Sequence, residues 1–440
     1  MSELNILLLC NRPVRNADAS TVTDHLDAFL NFSRHRVTQL SFIRHLPKAL
    51  DLDRFDVVVI HYTVAIGYMI EHYLDQEARR RIREFSGLKV VFIQDEYRSV
   101  NAVLDALEYM GVQLLFTCVP ESEFEKVYPS SRLQGIVRKN TLTGYVPVAL
   151  ARMEVPRITE REIDVGYRTR KPPFWLGELG YEKWMIADRF MEEAGGRGLT
   201  LDISYREEDR IYGERWVRFV SNCKAMLGVE SGASVFDFTG GLQKQVDAYV
   251  DKHPEATFQE VQQKFLLPHE GKVYLNQISP RCFEAAALRT AMILFEGEYS
   301  GILKPWRHYI PLKKDFSNID EVLSLLTDDD RLQELVDRTH EEIAMNPAYS
   351  YEEFVRQFDD AVAAVFQEKV GEQVSSPYTK AEYGLAMLRS PRYMLKRVST
   401  LVFQRILLGT ALRRFLFRIW GKVPLGMRTS IRPLLRVIGR

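Results

Sequence analysis

The run Asp56-Val57-Val58-Val59-Ile60-His61-Tyr62, followed after an amphipathic stretch at 66–85 by Lys89-Val90-Val91-Phe92-Ile93-Gln94-Asp95, decides how this chain is read. Unbroken β-branched and aromatic runs of this length fit strands covered on both faces, the situation of a parallel sheet sandwiched between helices. The alternation extends outward on both sides, with further strands expected at 4–10, 37–43 and 113–118 and a helix at 100–109. These elements predict a Rossmann-like unit over 1–155. The residues after 4–10 are Asn11-Arg12-Pro13, so the glycine fingerprint of a dinucleotide site is absent there.

A polar stretch at 152–162 separates this unit from a second round of alternation that begins with Ile163-Asp164-Val165-Gly166-Tyr167. Strands are expected at 163–167, 200–205, 224–229, 291–295 and 308–310. Helices are expected at 181–191, 213–221, 257–266, 280–288, 319–326 and 331–343. The second unit therefore covers 156–345, and a helix over 351–366, within a segment at 346–370, is placed to cross back to the first. A linker and a basic tail occupy 371–440.

The chain has 440 residues, 46% hydrophobic and 27% charged, which excludes a disordered or disulfide-stapled protein and suits two folded units. Four scattered cysteines without a Cys-x-x-Cys pair argue against a zinc site and for a reduced, cytoplasmic setting. No secretory signal or transmembrane helix is expected. The net charge is zero, but Lys380–Arg440 holds 14 Lys+Arg against one acid, Glu382, so it carries +13 and the remainder −13. Within it Leu412, Phe415, Leu416 and Ile419 share a helical face opposite Arg413, Arg414 and Arg418. That pattern predicts attachment of 381–440 to an anionic membrane surface, with protein contact as the alternative and nucleic acid set aside as a partner.

The most informative motif is Asn276-Gln277-Ile278-Ser279-Pro280-Arg281-Cys282-Phe283-Glu284-Ala285-Ala286-Ala287. Ser279 is a good N-cap and Pro280 a good first helical residue. The positive end of such a helix, with Arg281 in its first turn, suits a diphosphate, and Glu284 one turn later suits a ribose diol. A capped structural helix carrying an Arg–Glu pair is the alternative. Phe283-Glu284-Ala285-Ala286-Ala287 resembles the Phe-Glu-Ala-x-Ala segment of group 1 glycosyltransferases, in particular the CgeB-like branch of the GT-B superfamily. The residues that follow, Gly297-Glu298-Tyr299-Ser300-Gly301-Ile302-Leu303 and His308-Tyr309-Ile310-Pro311-Leu312, are similar to the rest of that family's C-terminal domain.

The resemblance implies an α/β fold of two Rossmann-like domains facing a cleft, with a nucleotide-sugar donor on the second domain and a carbohydrate or lipid-linked acceptor on the first. It implies that Glu284 holds the donor ribose and that Ser279 and Arg281 face the diphosphate, with Tyr299, Ser300 and Gly301 beside them. It implies no cofactor beyond the nucleotide-sugar substrate and no obligatory metal. Members with a Glu-x7-Glu motif carry a carboxylate eight positions before the ribose acid; here that position is Asn276.

Further strand ends carry candidates, because open α/β sheets place ligands there. Arg168 and Arg170 would neutralise a leaving diphosphate, or form a solvated basic loop. Ser231 and Gly232 would allow close backbone approach, and Glu230 would either replace the missing carboxylate or cap a turn. On the first domain His61, Asp95 and Glu96 are candidates for the general base that deprotonates an acceptor hydroxyl, His61 being alternatively a structural histidine. A nucleotide-sugar epimerase and a non-catalytic sugar-binding scaffold are the competing functions.

Overall fold

The computed structural model describes residues 3–13, 19–42, 44–371, 375–391 and 393–395. The amphipathic face at 412–419 proposed for membrane attachment lies outside them. Among the described residues no helix is long and apolar enough to cross a membrane.

The first sheet contains β1 (Asn5–Cys10), β2 (Arg36–Ser41), β3 (Val57–Ile60), β4 (Leu88–Ile93), β5 (Leu114–Thr117) and β6 (Val137–Asn140). They lie in the order β2-β1-β3-β4-β5-β6, every pair parallel. Alternate residues of β1 and β3 enter different cores: Leu7, Leu9, Val58 and Ile60 pack on one face, Ile6, Leu8, Val57 and Val59 on the other. Burial on both faces is why these strands are continuously apolar rather than alternating. The two edge strands, β2 (Arg-Val-Thr-Gln-Leu-Ser) and β6 (Val-Arg-Lys-Asn), lack that signal.

In the second domain β7 (Ile163–Arg168), β8 (Leu201–Ser204) and β9 (Cys223–Gly228) are joined by β12 (Ala291–Phe295) and β13 (Ile310–Leu312). The parallel order is β13-β12-β9-β7-β8. A two-residue antiparallel ladder pairs β10 (Ser231–Gly232) with β11 (Asn276–Gln277). Both large sheets are doubly wound, and the strand ends that follow their central strands face one another.

Several contacts join the domains. Helix Tyr351–Lys369 leaves the second domain and lays Phe354, Phe358, Val362 and Phe366 on the first sheet, against Phe29, Phe92 and Phe116. The segment around Asp237 runs beside the first domain's 97–101 loop, where Asp237 N donates to Tyr97 O at 2.8 Å and Asn101 N to Phe238 O at 2.9 Å. The beginning of the basic tail also docks. Arg54 donates to the carbonyls of Ser376 and Pro377, and Ala386, Met387 and Tyr393 enter the first domain's core.

The 66–85 stretch is not one helix. A loop and a short turn at Ile70–Tyr73 precede helix Gln76–Glu84, whose cap, Asp75, accepts from Ala78 N. Met69 takes a left-handed conformation that interrupts the run. The expected strand at 308–310 is shifted to Ile310–Leu312 because His308 turns inward to accept the N–H of Lys304 and meet Glu342.

Candidate functional site

Helix Pro280–Ala287 starts as its residues require, with Ser279 in extended conformation and its hydroxyl accepting from Arg281 N at 3.4 Å. Its first turn is covered by the first domain: Thr143 Oγ1 donates to Ile278 O at 2.6 Å, and Gly144 packs on Pro280. The hydroxyl of Ser279 and the N–H of Arg281 therefore satisfy each other. It is the exposed side chain of Arg281 that offers charge, its guanidinium carbon 5.6 Å from the Trp216 ring centre.

One turn further, Glu284 is buried where the two domains meet, only 5% exposed. Its Oε2 accepts from the indole Nε1 of Trp216 at 2.8 Å, and the hydroxyl of Ser20, from the first domain, also hydrogen-bonds to its carboxylate. Burial raises its pKa, opposed by the Trp216 bond, by the charge of Arg281 and by Ser20. Asp24, one turn into helix Ser20–Phe32, lies close enough to feel it. Burial and the negative charge of Glu284 push Asp24 up to about 7.

Glu230 closes the other end of the constellation. Its Oε2 accepts from Asn276 Nδ2 at 2.7 Å, and its Oε1 from the backbone N–H groups of Glu298 and Tyr299 at 3.1 and 2.8 Å. The position eight before Glu284 thus holds an amide bonded directly to a carboxylate from another loop. Gly232 makes this possible. At φ +112° its missing Cβ would lie 1.8 Å from Leu275 O, so the β10–β11 ladder requires glycine. Ser231 and Gly232 pair with Gln277 and Asn276 in this ladder, and the Gly232 carbonyl faces Lys183 Nζ at 3.5 Å.

Tyr299, Ser300 and Gly301 form a turn with positive φ at all three residues. The Tyr299 side chain is buried and its hydroxyl donates to Phe295 O at 2.6 Å, so it supports the core rather than a ligand. Ser300 Oγ accepts from Ile278 N at 3.1 Å, and Gly301 N bonds Glu298 O, tying the turn to the start of the Pro280 helix.

Several expected residues are corrected. Arg168 is committed to β8, donating to Asp202 O and Asp202 Oδ1, both at 2.8 Å, and lying 4.3 Å from the Phe219 ring centre. It braces the sheet through these contacts, which hold its guanidinium on Asp202 and Phe219. His61 is fully buried, its ring nitrogens meeting His25 Nδ1 at 2.9 Å and Thr63 Oγ1 at 3.0 Å. Burial, and then the neighbouring His25, hold it well below the usual imidazole range, so it is a neutral core group. Glu96 is likewise buried, accepting from Thr117, Cys118 N at 2.6 Å and Tyr128 OH at 2.9 Å. Glu96 contributes to the lining of the cavity that Asp95 also lines, but its carboxylate is engaged by these three partners.

Asp95, by contrast, is exposed at the end of β4, with φ +59° and Oδ1 accepting from Tyr97 OH at 2.8 Å. It lines a cavity between the domains together with Tyr62, Tyr68, Arg98, Arg170 and Trp175. Lys183, on helix Glu178–Ala194, was missed by the sequence reading, because one lysine in an amphipathic helix reads as a solvated face. Burial lowers it to about 8, helped by the nearby charges of Arg170 and Arg281 and opposed by Asp95. Arg170, Lys183 and Arg281 thus gather on the second domain's side of the cleft, opposite Asp95.

No family model matches the chain, and no curated protein does. Solved structures do. An alpha-glucosyltransferase in complex with UDP-glucose and DNA containing an abasic site matches at TM-score 0.50 and 12% identity, over 82% of this chain and 100% of that one. An alpha-glucosyltransferase in complex with UDP and a 13-mer DNA containing a HMU base gives the same figures. T4 phage BGT in complex with its UDP-glucose substrate aligns over 84% of this chain and 99% of its own at 11% identity, with TM-score 0.44. At such identities the likeness is one of fold, shared with the two alpha-glucosyltransferase structures. It also corrects the sequence reading's exclusion of nucleic acid: two of these structures hold DNA, so that exclusion is withdrawn.

Proposed function

We propose that this chain is a glycosyltransferase that moves a sugar from a nucleoside diphosphate donor to an acceptor hydroxyl. The observation that carries the reading is Glu284, a carboxylate buried in the cleft and already accepting from an indole N–H and an aliphatic hydroxyl, one turn beyond Arg281. A ribose diol presents the same donors as Ser20. Arg170, Lys183 and Arg281 supply positive charge where the departing diphosphate accumulates negative charge, the role a divalent metal performs in other transferases. On this reading transfer persists in EDTA.

Asp95 is the proposed general base. Its carboxylate faces the cavity, is oriented by Tyr97, and stands across from the three cations, so an acceptor hydroxyl bound among Tyr62, Tyr68 and Trp175 would meet it. The Glu230–Asn276 pair is proposed to contact the transferred sugar in place of the carboxylate that Glu-x7-Glu members carry at the position of Asn276, and the finer CgeB-like affiliation rests on the same segment. DNA belongs in the acceptor panel beside carbohydrates, since proteins of this fold bind it.

The test is a thermal-shift screen with UDP, GDP, ADP and dTDP and their sugars, followed by transfer assays with the stabilising donor. A binding nucleotide stabilises the fold by linkage, and Glu284→Ala is expected to abolish both stabilisation and transfer. Full activity in that variant excludes the ribose role.

A further inference from the structure

Trp216 lies on helix Glu214–Ser221, for which the sequence offers no candidate site residue. It is half-buried at the edge of a small core of Phe219, Val220, Cys223, Met226 and Leu288. Its indole nitrogen is directed to Glu284 Oε2 at 2.8 Å, and the guanidinium of Arg281 lies 5.6 Å from its ring centre. One side chain from a neighbouring helix therefore touches both charged groups of the Pro280 helix that face the donor.

We infer that Trp216 is a positioning residue for nucleoside recognition, fixing the Glu284 carboxylate so that one oxygen is held by the indole while the ribose hydroxyls take the place of the Ser20 hydroxyl on the carboxylate. The inference rests on the proposed ribose role of Glu284. A carboxylate on a flexible stem rotates about its last bond. One engaged by a rigid donor has a defined plane, and a charge-assisted bond from a fixed indole is directional. The same bond favours the ionised form, which accepts from both hydroxyls, in a place where burial favours the protonated one. Arg281 above the ring adds a second constraint, because ring and guanidinium can hold each other in register.

The experiment compares binding of UDP, GDP and ADP with that of their 2′,3′-dideoxy counterparts by calorimetry, in the full chain and in Trp216→Phe, Trp216→His and Glu284→Ala. Each variant supplies its own ratio of ribo to dideoxy affinity, so partial loss of folded protein moves both members alike and leaves the ratio unchanged. The unaltered chain is expected to prefer the ribonucleotide, and Glu284→Ala to erase the preference. Trp216→Phe, which keeps the ring but loses the N–H, is expected to cut the ratio roughly tenfold. Trp216→His, which keeps a ring N–H, should recover part of it. In Trp216→Phe the preference should also fade at a higher pH than in the unaltered chain, because the carboxylate takes up its proton sooner. A Trp216→Phe ratio equal to that of the unaltered chain overturns the inference while leaving the ribose role intact. Lack of discrimination in the unaltered chain, a preserved ratio in Glu284→Ala, or no binding of any of the three diphosphates removes the ribose role and this inference together.

Discussion

Asp95 and Lys183 lie close enough for the charge of one to bear on the other, and their chemistry separates the two halves of the proposed reaction. Asp95→Asn keeps shape and hydrogen bonding but removes the base; kcat is expected to fall by about 10²–10⁴-fold while the donor nucleotide still raises the melting temperature. Lys183 is charged below its lowered pKa of about 8 and neutral above it. Donor affinity should therefore decline as pH rises through about 8, and Lys183→Arg should shift that decline upward, measured by calorimetry across pH 6.5–9.5. Glu284, Arg281 and Asp95, whose roles are proposed, could be picked out from the sequence as candidates because each sits at a strand end or in the first turns of a helix, where open α/β sheets place ligands. The sequence concealed Lys183 and Trp216, whose proposed roles come from tertiary neighbours. It also overrated His61 and Glu96: a strand end shows where a residue lies along the chain, not whether its side chain turns to the cleft or, as here, into the core beside His25 and Tyr128.

The elements that place the site differ in how tightly they are specified. The ladder of β10 and β11 is two residues long, yet it brings Glu230 to Asn276, and it depends on Gly232. Gly232→Ala would drive a methyl into the Leu275 carbonyl at a φ that side chains rarely adopt. We expect a loss of about 2–4 kcal/mol in unfolding free energy by urea titration, accompanied by loss of transfer, whereas Gly301→Ala meets no neighbouring atom and should cost about 1 kcal/mol. Buried parallel strands were legible because covering both faces makes them uniformly apolar. Helices Ser20–Phe32 and Gly241–Lys252 were not recognised, since neither has a side-chain cap bond at its start and both mix polar residues into their buried faces, as His25, Gln243 and Asp247 show. The edge strand β6 escaped for the opposite reason, its polar residues satisfying the ladder without entering a core.

At the scale of the whole molecule, buried titratable groups give the pH response of stability. Burial lowers His25 to about 3, so the folded state refuses a proton that the unfolded chain takes up below about 6.5. The stability from this group is complete above about 6.5 and is lost as pH falls toward 3, by about 1.4 kcal/mol per unit, with His61 adding in the same direction. Asp24 has the opposite sign: the folded state keeps its proton up to about 7, so its contribution decreases as pH rises from the ordinary carboxylate range to that value. Asp24→Asn should accordingly steepen the acid loss, as urea midpoints between pH 4 and 7 would show; an unchanged slope would count against the burial of Asp24 at the domain seam.

Helix Tyr351–Lys369 supplies Phe354, Phe358 and Phe366 to the core around β1 and β4. A ribosome that has just finished the opening third of the chain has therefore made a unit with one uncovered apolar face, and some two hundred further residues must emerge before its cover arrives. Nascent chains halted before residue 351 should be the ones that chaperones retain, while release beyond 370 lets both halves settle together.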